Sequence, residues 1–572
     1  MPAPALLHDL LDGPACASER IALVRGDERL SYGGLRAEVE RLARRLREAG
    51  AEPGDRIAIL LPKSLPECVA IFAVSRVGAV FVPIHPSLRP RQVRHILADC
   101  GARFLVTDAT LLAALDPPPI TPSAGYGIHT SRGPHGSPLL EGEGQGEVCD
   151  LSGAGPHLTP TLSFQESEHV ATVEPSRREG TAIEQMGESS NSAGGGLAAS
   201  LIVSLAPDTL TAPPPGLAAI LYTSGSTGLP KGVMLSHANL LAGTRIVRSY
   251  LAIAPEDRIL SVLPFSFDYG LNQLLTSVEQ GACLVLLEFR FGDEVVRAIE
   301  QHRITILAGV PTLWTLLTRA APRLGKADLA SLRILTNSGG AVPQETVARL
   351  RRALPHTDIV LMYGLTEAFR STYLPPGEID ARPGSMGRAI PETEIFAVDA
   401  DGQRTRPGEP GILHHRGPTV SLGYWNRPED TARVLVPDPR FPQDGTLVCR
   451  SGDLVVEDED GYFRFLGRED AMIKSAGFRV SPTEVEEAMM ETGAFRAVAV
   501  IGLADAGLGQ RIHAVAVPAG SGPAPEEVLQ AVRRTLPPHM VPRAVETVPA
   551  LPTTPNGKVD YKRLVAERTS YV

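Results

Sequence analysis

Apolar residues recur at helical spacing over residues 35–46, where Leu35, Val39, Leu42 and Leu46 share one face and Gly50 follows as a cap. A strand-like run at Arg56–Leu61 comes next, then a helical stretch from about Glu67 to Val77. A strand at Val80–Pro83, a helix at Pro90–Cys100 and a strand at Phe104–Thr107 complete the opening. Apolar strands alternating with amphipathic helices predict mostly parallel sheets covered by helices, an α/β architecture.

The alternation stops over residues 116–215, which are rich in Gly, Pro, Ser and Glu, as in GPHGSPLLEGEGQGEV and GESSNSAGGG. With no sustained period and too little apolar surface to offset ordering entropy, this stretch is expected to be a largely disordered insertion. One short strand is expected at Ser200–Leu205, and a regulatory or docking loop stays open as an alternative. Order returns at the apolar strand Leu217–Tyr222. Near Asp460–Gly461 a turn pair between Leu454–Val456 and Tyr462–Phe465 predicts a hairpin. A boundary after Gly467 divides a large domain, 1–467, from a small α+β domain, 468–572. The small one is expected to hold helices at Pro482–Glu491 and Glu526–Thr535 and strands at Ala497–Ile501 and Ile512–Val517.

Composition narrows the classes of function. Fifty-five basic residues against 65 acidic ones give a formal charge of −10, which argues against nucleic acid as the main partner. Six cysteines without a C-x-x-C pair read as reduced packing residues rather than a disulfide frame or zinc site. The N-terminus lacks the pattern of a signal peptide. The early apolar stretch Cys68–Pro83 is broken by Arg76 and Gly78 and falls short of the about 20 apolar residues a membrane span needs. A soluble, cytoplasmic protein is expected.

The chemistry concentrates in five motifs. Thr223–Gly232 (TSGSTGLPKG) sets four hydroxyls, three glycines and Lys231 directly after a buried strand. Glycines let backbone N–H groups wrap phosphate oxygens, and the lysine adds a mobile positive charge. The string fits neither G-x-x-x-x-G-K-[ST] nor G-x-G-x-x-G. Further on stand Tyr363-Gly364-Leu365-Thr366-Glu367, Arg450-Ser451-Gly452-Asp453, Gly467-Arg468-Glu469-Asp470 and Pro552-Thr553-Thr554-Pro555-Asn556-Gly557-Lys558. Each alone is a turn, a helix cap or a solvated charge as readily as a site.

Together and in this order they resemble the adenylate-forming superfamily, which includes acyl-CoA synthetases, peptide-synthetase adenylation domains and firefly luciferase. The resemblance implies an adenylation domain followed by a small mobile domain bearing the catalytic lysine. By that resemblance Thr223, Ser224, Gly225, Ser226, Thr227, Gly228 and Lys231 hold phosphates, with Gly339 and Gly340 beside the nucleotide. Tyr363 stacks on adenine, Thr366 bonds the α-phosphate, and Glu367 holds Mg2+ as a hard oxygen ligand. Asp453 and Arg468 take the ribose, Asp470 is the hinge, and Lys558 is catalytic. Lys474–Arg479 is similar to the loop that admits a pantetheine arm, placing Gly477 and Arg479 on the thiol side.

Mapped in the same way, the substrate pocket comprises Asp268, Tyr269, Asn272, Thr336, Ser338, Met362, Arg370 and Ser371. This is not the apolar tunnel of a fatty-acid enzyme. Asp268 stands where amino-acid-activating members hold an ammonium group, and Arg370 suits a second anion; equally, the two pair with each other. LPFSFDYGLNQLL and MYGLTEAFRSTYLPP also resemble a bacterial subgroup, the AMP-forming acyl-CoA ligases associated with exosortase A systems. The implied reaction uses ATP to form an acyl-adenylate and passes the acyl group to a thiol. Coenzyme A is expected, since no carrier domain follows before Val572. A stand-alone enzyme loading a separate acyl or peptidyl carrier protein, or a non-catalytic binding protein on the same fold, are the alternatives.

Overall fold

The computed structural model describes residues 5–13, 16–115, 201–205, 211–224, 230–469, 471–475, 478–505, 508–520 and 524–569. Most of the expected insertion lies outside the described residues. Within its final part Leu201–Ser204 forms a strand, within the range expected.

A large domain is built on two sheets. In the first, Arg56–Leu60 pairs in parallel with both Val80–Pro83 and Ala102–Thr107. Leu201–Ser204 closes one edge; Leu217–Ser224 and Pro230–Ser236, an antiparallel pair, form the other. In the second sheet, six strands run in parallel: Ile21–Arg25, Cys283–Leu286, Arg258–Ser261, Ile306–Gly309, Ile334–Asn337 and Asp358–Tyr363. Beyond Tyr363 this sheet turns antiparallel, through Thr372–Leu374 and Ser385–Ala389 to Phe463–Arg468, Leu447–Glu457, Pro410–Arg416 and Glu394–Val398. The expected parallel sheets are thus joined by an antiparallel extension. Antiparallel neighbours need no crossover helix, and here the link from Pro410–Arg416 to its partner Leu447–Glu457 is a long segment that holds the helix Pro428–Val434.

Four helices, Tyr32–Glu48, Leu65–Arg76, His237–Leu251 and Asp268–Gln280, share one apolar core with residues of both sheets, including Ile57, Phe81, Ile259 and Ile306. Leu65–Arg76 and Asp268–Gln280 are buried over nearly their whole length, as sandwiched helices must be. The start of Leu65–Arg76 is fixed by Ser64, whose side chain accepts from the Glu67 N–H, and by Pro66 in the first turn. The hairpin expected around Asp460–Gly461 is present, with Val456 opposite Arg464 and Gly461 at φ 78°.

The small domain has its own core of Ile473, Val485, Met489, Val500, Ala514 and Val532. Helices Pro482–Glu491 and Pro525–Thr535 cover a sheet whose long pair is Phe495–Asp505 against Gly509–Pro518. Its strands overrun the expected bounds at both ends because cross-strand pairing continues past the apolar run.

The helix Asp268–Gln280 is seated tightly on the segment that leads into it. A Cβ on Gly270 would stand 2.1 Å from the Pro264 carbonyl oxygen and 2.8 Å from that of Leu263. Backbone cannot yield as a flexible side chain does, so Gly270→Ala is expected to destabilise the chain by about 1–3 kcal/mol. Gly325, whose added Cβ would meet nothing within 4 Å, serves as the control. Thermal unfolding of the two alanine variants checks this, with Gly325→Ala expected to stay within about 0.5 kcal/mol.

Candidate active site

The C-terminal ends of the parallel strands are where an open α/β sheet binds ligands, because backbone groups there lack a continuing ladder partner. Ser338 and Gly339 follow Ile334–Asn337, Gly364 follows Asp358–Tyr363, and Phe265–Asp268 follow Arg258–Ser261. Into this rim the chain's distant tail delivers Lys558. A Cβ on Gly339 would stand 3.0 Å from the Lys558 Cε, and the Lys558 ammonium lies 5.1 Å from the centre of the Phe267 ring. Thr312 donates to the Gly557 carbonyl at 3.0 Å, anchoring the Asn556–Gly557 turn that presents the lysine. Lys558 keeps an exposed side chain. Desolvation by the protein packed around its ammonium lowers its pKa below the ordinary lysine value, against the opposing pull of Asp268, Glu367 and Asp453. The water it retains limits how far the lowering goes.

The strands on either side of the glycine-rich stretch are antiparallel partners. Thr223 pairs with Lys231 and Ser224 with Pro230 across the antiparallel strands, so Lys231 sits beside the loop's base. Gly225, Ser226, Thr227 and Gly228 lie outside the described residues. The Lys231 ammonium meets the Asp430 carboxylate at 2.8 Å and lies 5.7 Å from the Tyr424 ring centre. Tyr424 donates to Glu367 at 2.6 Å, which links the glycine-rich hairpin to the Thr366–Glu367 turn. This contact raises the Tyr424 pKa after burial, the larger cause.

Tyr363 donates to Asp453, and its ring lies nearly parallel to that of His415, 6.2 Å between centres. Arg468 stands opposite Asp453 across the hairpin and donates to it at 3.0 Å and to the Ser451 carbonyl at 3.1 Å. Arg450 pairs instead with Glu469 at 2.7 Å. Asp470 and Gly477 lie outside the described residues. Arg479 is described only as backbone, paired with Lys474.

Behind this rim lies a buried polar cluster on the helix that begins at Asp268 and the turn that ends at Ser371. Asp268 and Arg370 pair at 3.1 Å, with side chains 3% and 1% exposed, so the mutual pairing weighed from the sequence is present. Thr366 donates to the other Asp268 oxygen at 3.4 Å. The Arg370 guanidinium lies over the Tyr269 ring at 4.6 Å, and the Tyr269 hydroxyl donates to the Thr336 carbonyl at 2.8 Å. Phe369 takes a left-handed φ of 45°, which turns Arg370 inward, and its ring rests where a Cβ on Gly243 would stand, 2.2 Å away. Met362 accepts from the Tyr250 hydroxyl at 3.0 Å, and Asn272, Ser338 and Ser371 are buried beside these residues in the chain.

Four participants escape a reading of motifs: Tyr424, Asp430, His415 and Phe267. The string Tyr424-Trp425-Asn426-Arg427-Pro428, two aromatics before a helix-starting proline, is the signal that points to the first two. Among the described residues no cluster of three or more His, Cys, Asp or Glu could cage a metal ion, and no helix is long and apolar enough to cross a membrane.

Lys231, the Thr366–Glu367 turn, the Asp453–Arg468 pair and the tail lysine Lys558 are the groups an ATP-using, adenylate-forming ligase needs, and the family match shows that class. Residues 14–425 match the family described as AMP-binding enzyme, and residues 484–558 match the AMP-binding enzyme C-terminal domain. The chain belongs to the AMP-binding enzyme family. It is 33% identical over 542 residues to a feruloyl-CoA synthase of Amycolatopsis sp, 94% of each chain. It is 30% identical over 574 residues to an L-proline–[L-prolyl-carrier protein] ligase of Streptomyces coelicolor, 98% of this chain and 96% of the other. It is also 30% identical over 552 residues to a linear gramicidin synthase of Brevibacillus parabrevis, of whose length it spans 6%. Among solved structures, ATP-bound MatB from Rhodopseudomonas palustris matches at TM-score 0.75 with 24% identity over 99% of both chains, a likeness of fold.

His415 yields a measurable consequence. Burial pushes its pKa down to about 3, and both ring nitrogens lack a hydrogen-bond partner among the described residues. The folded chain therefore holds His415 neutral while the unfolded chain protonates it below about pH 6.5. Between about pH 6.5 and pH 3 the unfolded state binds more protons, so stability falls on acidification by about 1.4 kcal/mol per pH unit from this group. His415→Phe keeps the stack on Tyr363 and cannot protonate. Denaturant unfolding at pH 7.5 and pH 5 is expected to show a smaller acid loss for the variant than for the parent.

Proposed function

We propose that this protein is an AMP-forming acid–thiol ligase whose thiol is coenzyme A. The observation that carries the reading is the position of Lys558, brought from the tail against Gly339 and within electrostatic reach of Asp268, Glu367 and Asp453. In the first step a carboxylate oxygen of the acid attacks the α-phosphorus of ATP, and the bond to the β-phosphate oxygen breaks to release pyrophosphate. Lys558 bridges the carboxylate and α-phosphate as negative charge shifts between them, and Thr366 donates to the α-phosphate. Tyr363, Asp453 and Arg468 seat the nucleoside; Lys231 leaves Asp430 to meet the outer phosphates.

Glu367 fits magnesium. It offers a hard, half-buried carboxylate with one oxygen held by Tyr424, and magnesium is commonly held by one or two carboxylates plus substrate phosphates. When bound there it would neutralise phosphate charge. In the second step the small domain turns at Asp470, withdrawing Lys558 and bringing Gly477 and Arg479 to the site. The thiol sulfur attacks the acyl carbon, its proton leaves to solvent, and AMP departs. The likeness to feruloyl-CoA synthase over 94% of both chains supports coenzyme A. The carrier-protein reading is supported by the prolyl-carrier ligase, but the Arg370 guanidinium already occupies the carboxylate at which an amino acid would place its ammonium.

Lys558→Ala is expected to lower acid-dependent pyrophosphate release by about 10²–10³ while ATP binding persists. Unchanged release across candidate acids would remove the lysine from the mechanism. For the thiol, trapping the adenylate with coenzyme A is expected to give an acyl-CoA. A labelled carrier protein with no coenzyme A product would reverse that assignment.

A further inference from the structure

We infer that the acid activated is short and carries an uncharged oxygen acceptor, such as a hydroxyl or keto oxygen, beyond its reacting carboxyl group. This rests on the adenylation reading of the same site and names the chemistry its pocket reads. Asn272, Arg370 and Ser371 are the residues assigned to that oxygen.

The free hydrogen-bonding capacity of the pocket is mostly of one kind. Arg370 spends Nη1 on Asp268, but its Nε and Nη2 have no partner among the described residues. Asn272, one helical turn beyond Asp268, accepts from Thr276 through Oδ1 at 3.3 Å and leaves its Nδ2 unpartnered. The Ser371 hydroxyl, next to Arg370 in the chain, is unpartnered too. All three residues are at most 3% exposed, so water does not serve these groups from outside. A buried donor without a partner bears its full desolvation cost, and a ligand oxygen is the group that relieves it. The position of Arg370 ties this cluster to the reaction: its charge and that of Asp268 both act on Lys558.

Charge decides what kind of oxygen. Asp268 and Arg370 already neutralise each other. A second carboxylate on the free edge of Arg370 would leave one uncompensated negative charge in a site shielded from water, where an unpaired ion is strongly disfavoured. An ammonium would crowd a second cation onto a carboxylate already paired. A hydroxyl or keto oxygen takes the donors without either penalty. Size is limited by the same packing: Tyr269, Ser338 and Met362, which the pocket shares with these three, are no more than 5% exposed. That leaves little unoccupied surface along which a long chain could lie.

The test is pyrophosphate release by the full chain across acids of one short carbon skeleton bearing hydroxyl, keto, methyl, ammonium or carboxylate at the same carbon. Long-chain and aromatic acids are included in the same series. The hydroxy or keto acid is expected to lead in kcat/KM by about tenfold or more. Ser371→Ala is expected to narrow that lead over the methyl acid severalfold, whereas loss of the fold would lower all acids alike and abolish ATP binding. A methyl, ammonium or dicarboxylic acid in the lead, or release confined to long-chain or aromatic acids, overturns this inference and leaves adenylation standing. Release with no acid of any class overturns the adenylation reading and this inference with it.

Discussion

The site depends on a close approach between segments more than two hundred residues apart. The tail lysine passes close over residue 339, where an added Cβ would stand 3.0 Å from its Cε, while Thr312 holds the Gly557 carbonyl. A side chain at 339 would make the lysine give by a few tenths of an ångström. Phe267 supplies the wall over which the lysine passes, and Phe267 is itself placed by the helix seated on Pro264. One steric fact, repeated at Gly339, Gly270 and Gly243, thus positions the lysine, the acid pocket and the turn that carries Arg370.

Around that approach, three ions are each matched by a counterpart. Asp268 has Arg370, Lys231 has Asp430, and Asp453 has Arg468. Opposite charges close together favour the ionised forms even where water is scarce. Removing one member of the most buried pair would strand the other, which is why a single substitution at Asp268 or Arg370 mixes stability with specificity. The hydroxyl of Ser371 is a cleaner probe because no charge is lost with it.

Much of this was legible from the sequence, unevenly. Helices with an early proline and a clean polar–apolar period, such as Pro90–Cys100 and Pro482–Glu491, lie at their expected bounds because local preference and packing agree there. Of the antiparallel extension after Tyr363 only the hairpin at Asp460–Gly461 was read. Its other strands find partners across longer separations, as Pro410–Arg416 does with Leu447–Glu457, and composition does not decide such pairings. The five motif strings led to Lys558, Glu367, Asp453 and Arg468, which the fold gathers on one rim. Tyr424 and Asp430 escaped because they reach Lys231 through a contact between Gly232 and Trp425, across nearly two hundred residues. Whether Asp268 and Arg370 met each other was equally beyond pattern, since 102 residues separate them.

The pairing of Lys231 with Asp430 bears on turnover. A phosphate-binding lysine with no other counterion would hold its anion until another arrived, and product departure would then be slow. Asp430 gives this lysine a resting partner at 2.8 Å, so in the proposed reaction pyrophosphate can leave without abandoning an unbalanced cation. In that proposed reaction the same carboxylate would compete with each incoming nucleotide. Affinity for ATP and speed of release would then be set against each other at a single residue, on a helix that touches neither the acid nor the thiol in the scheme.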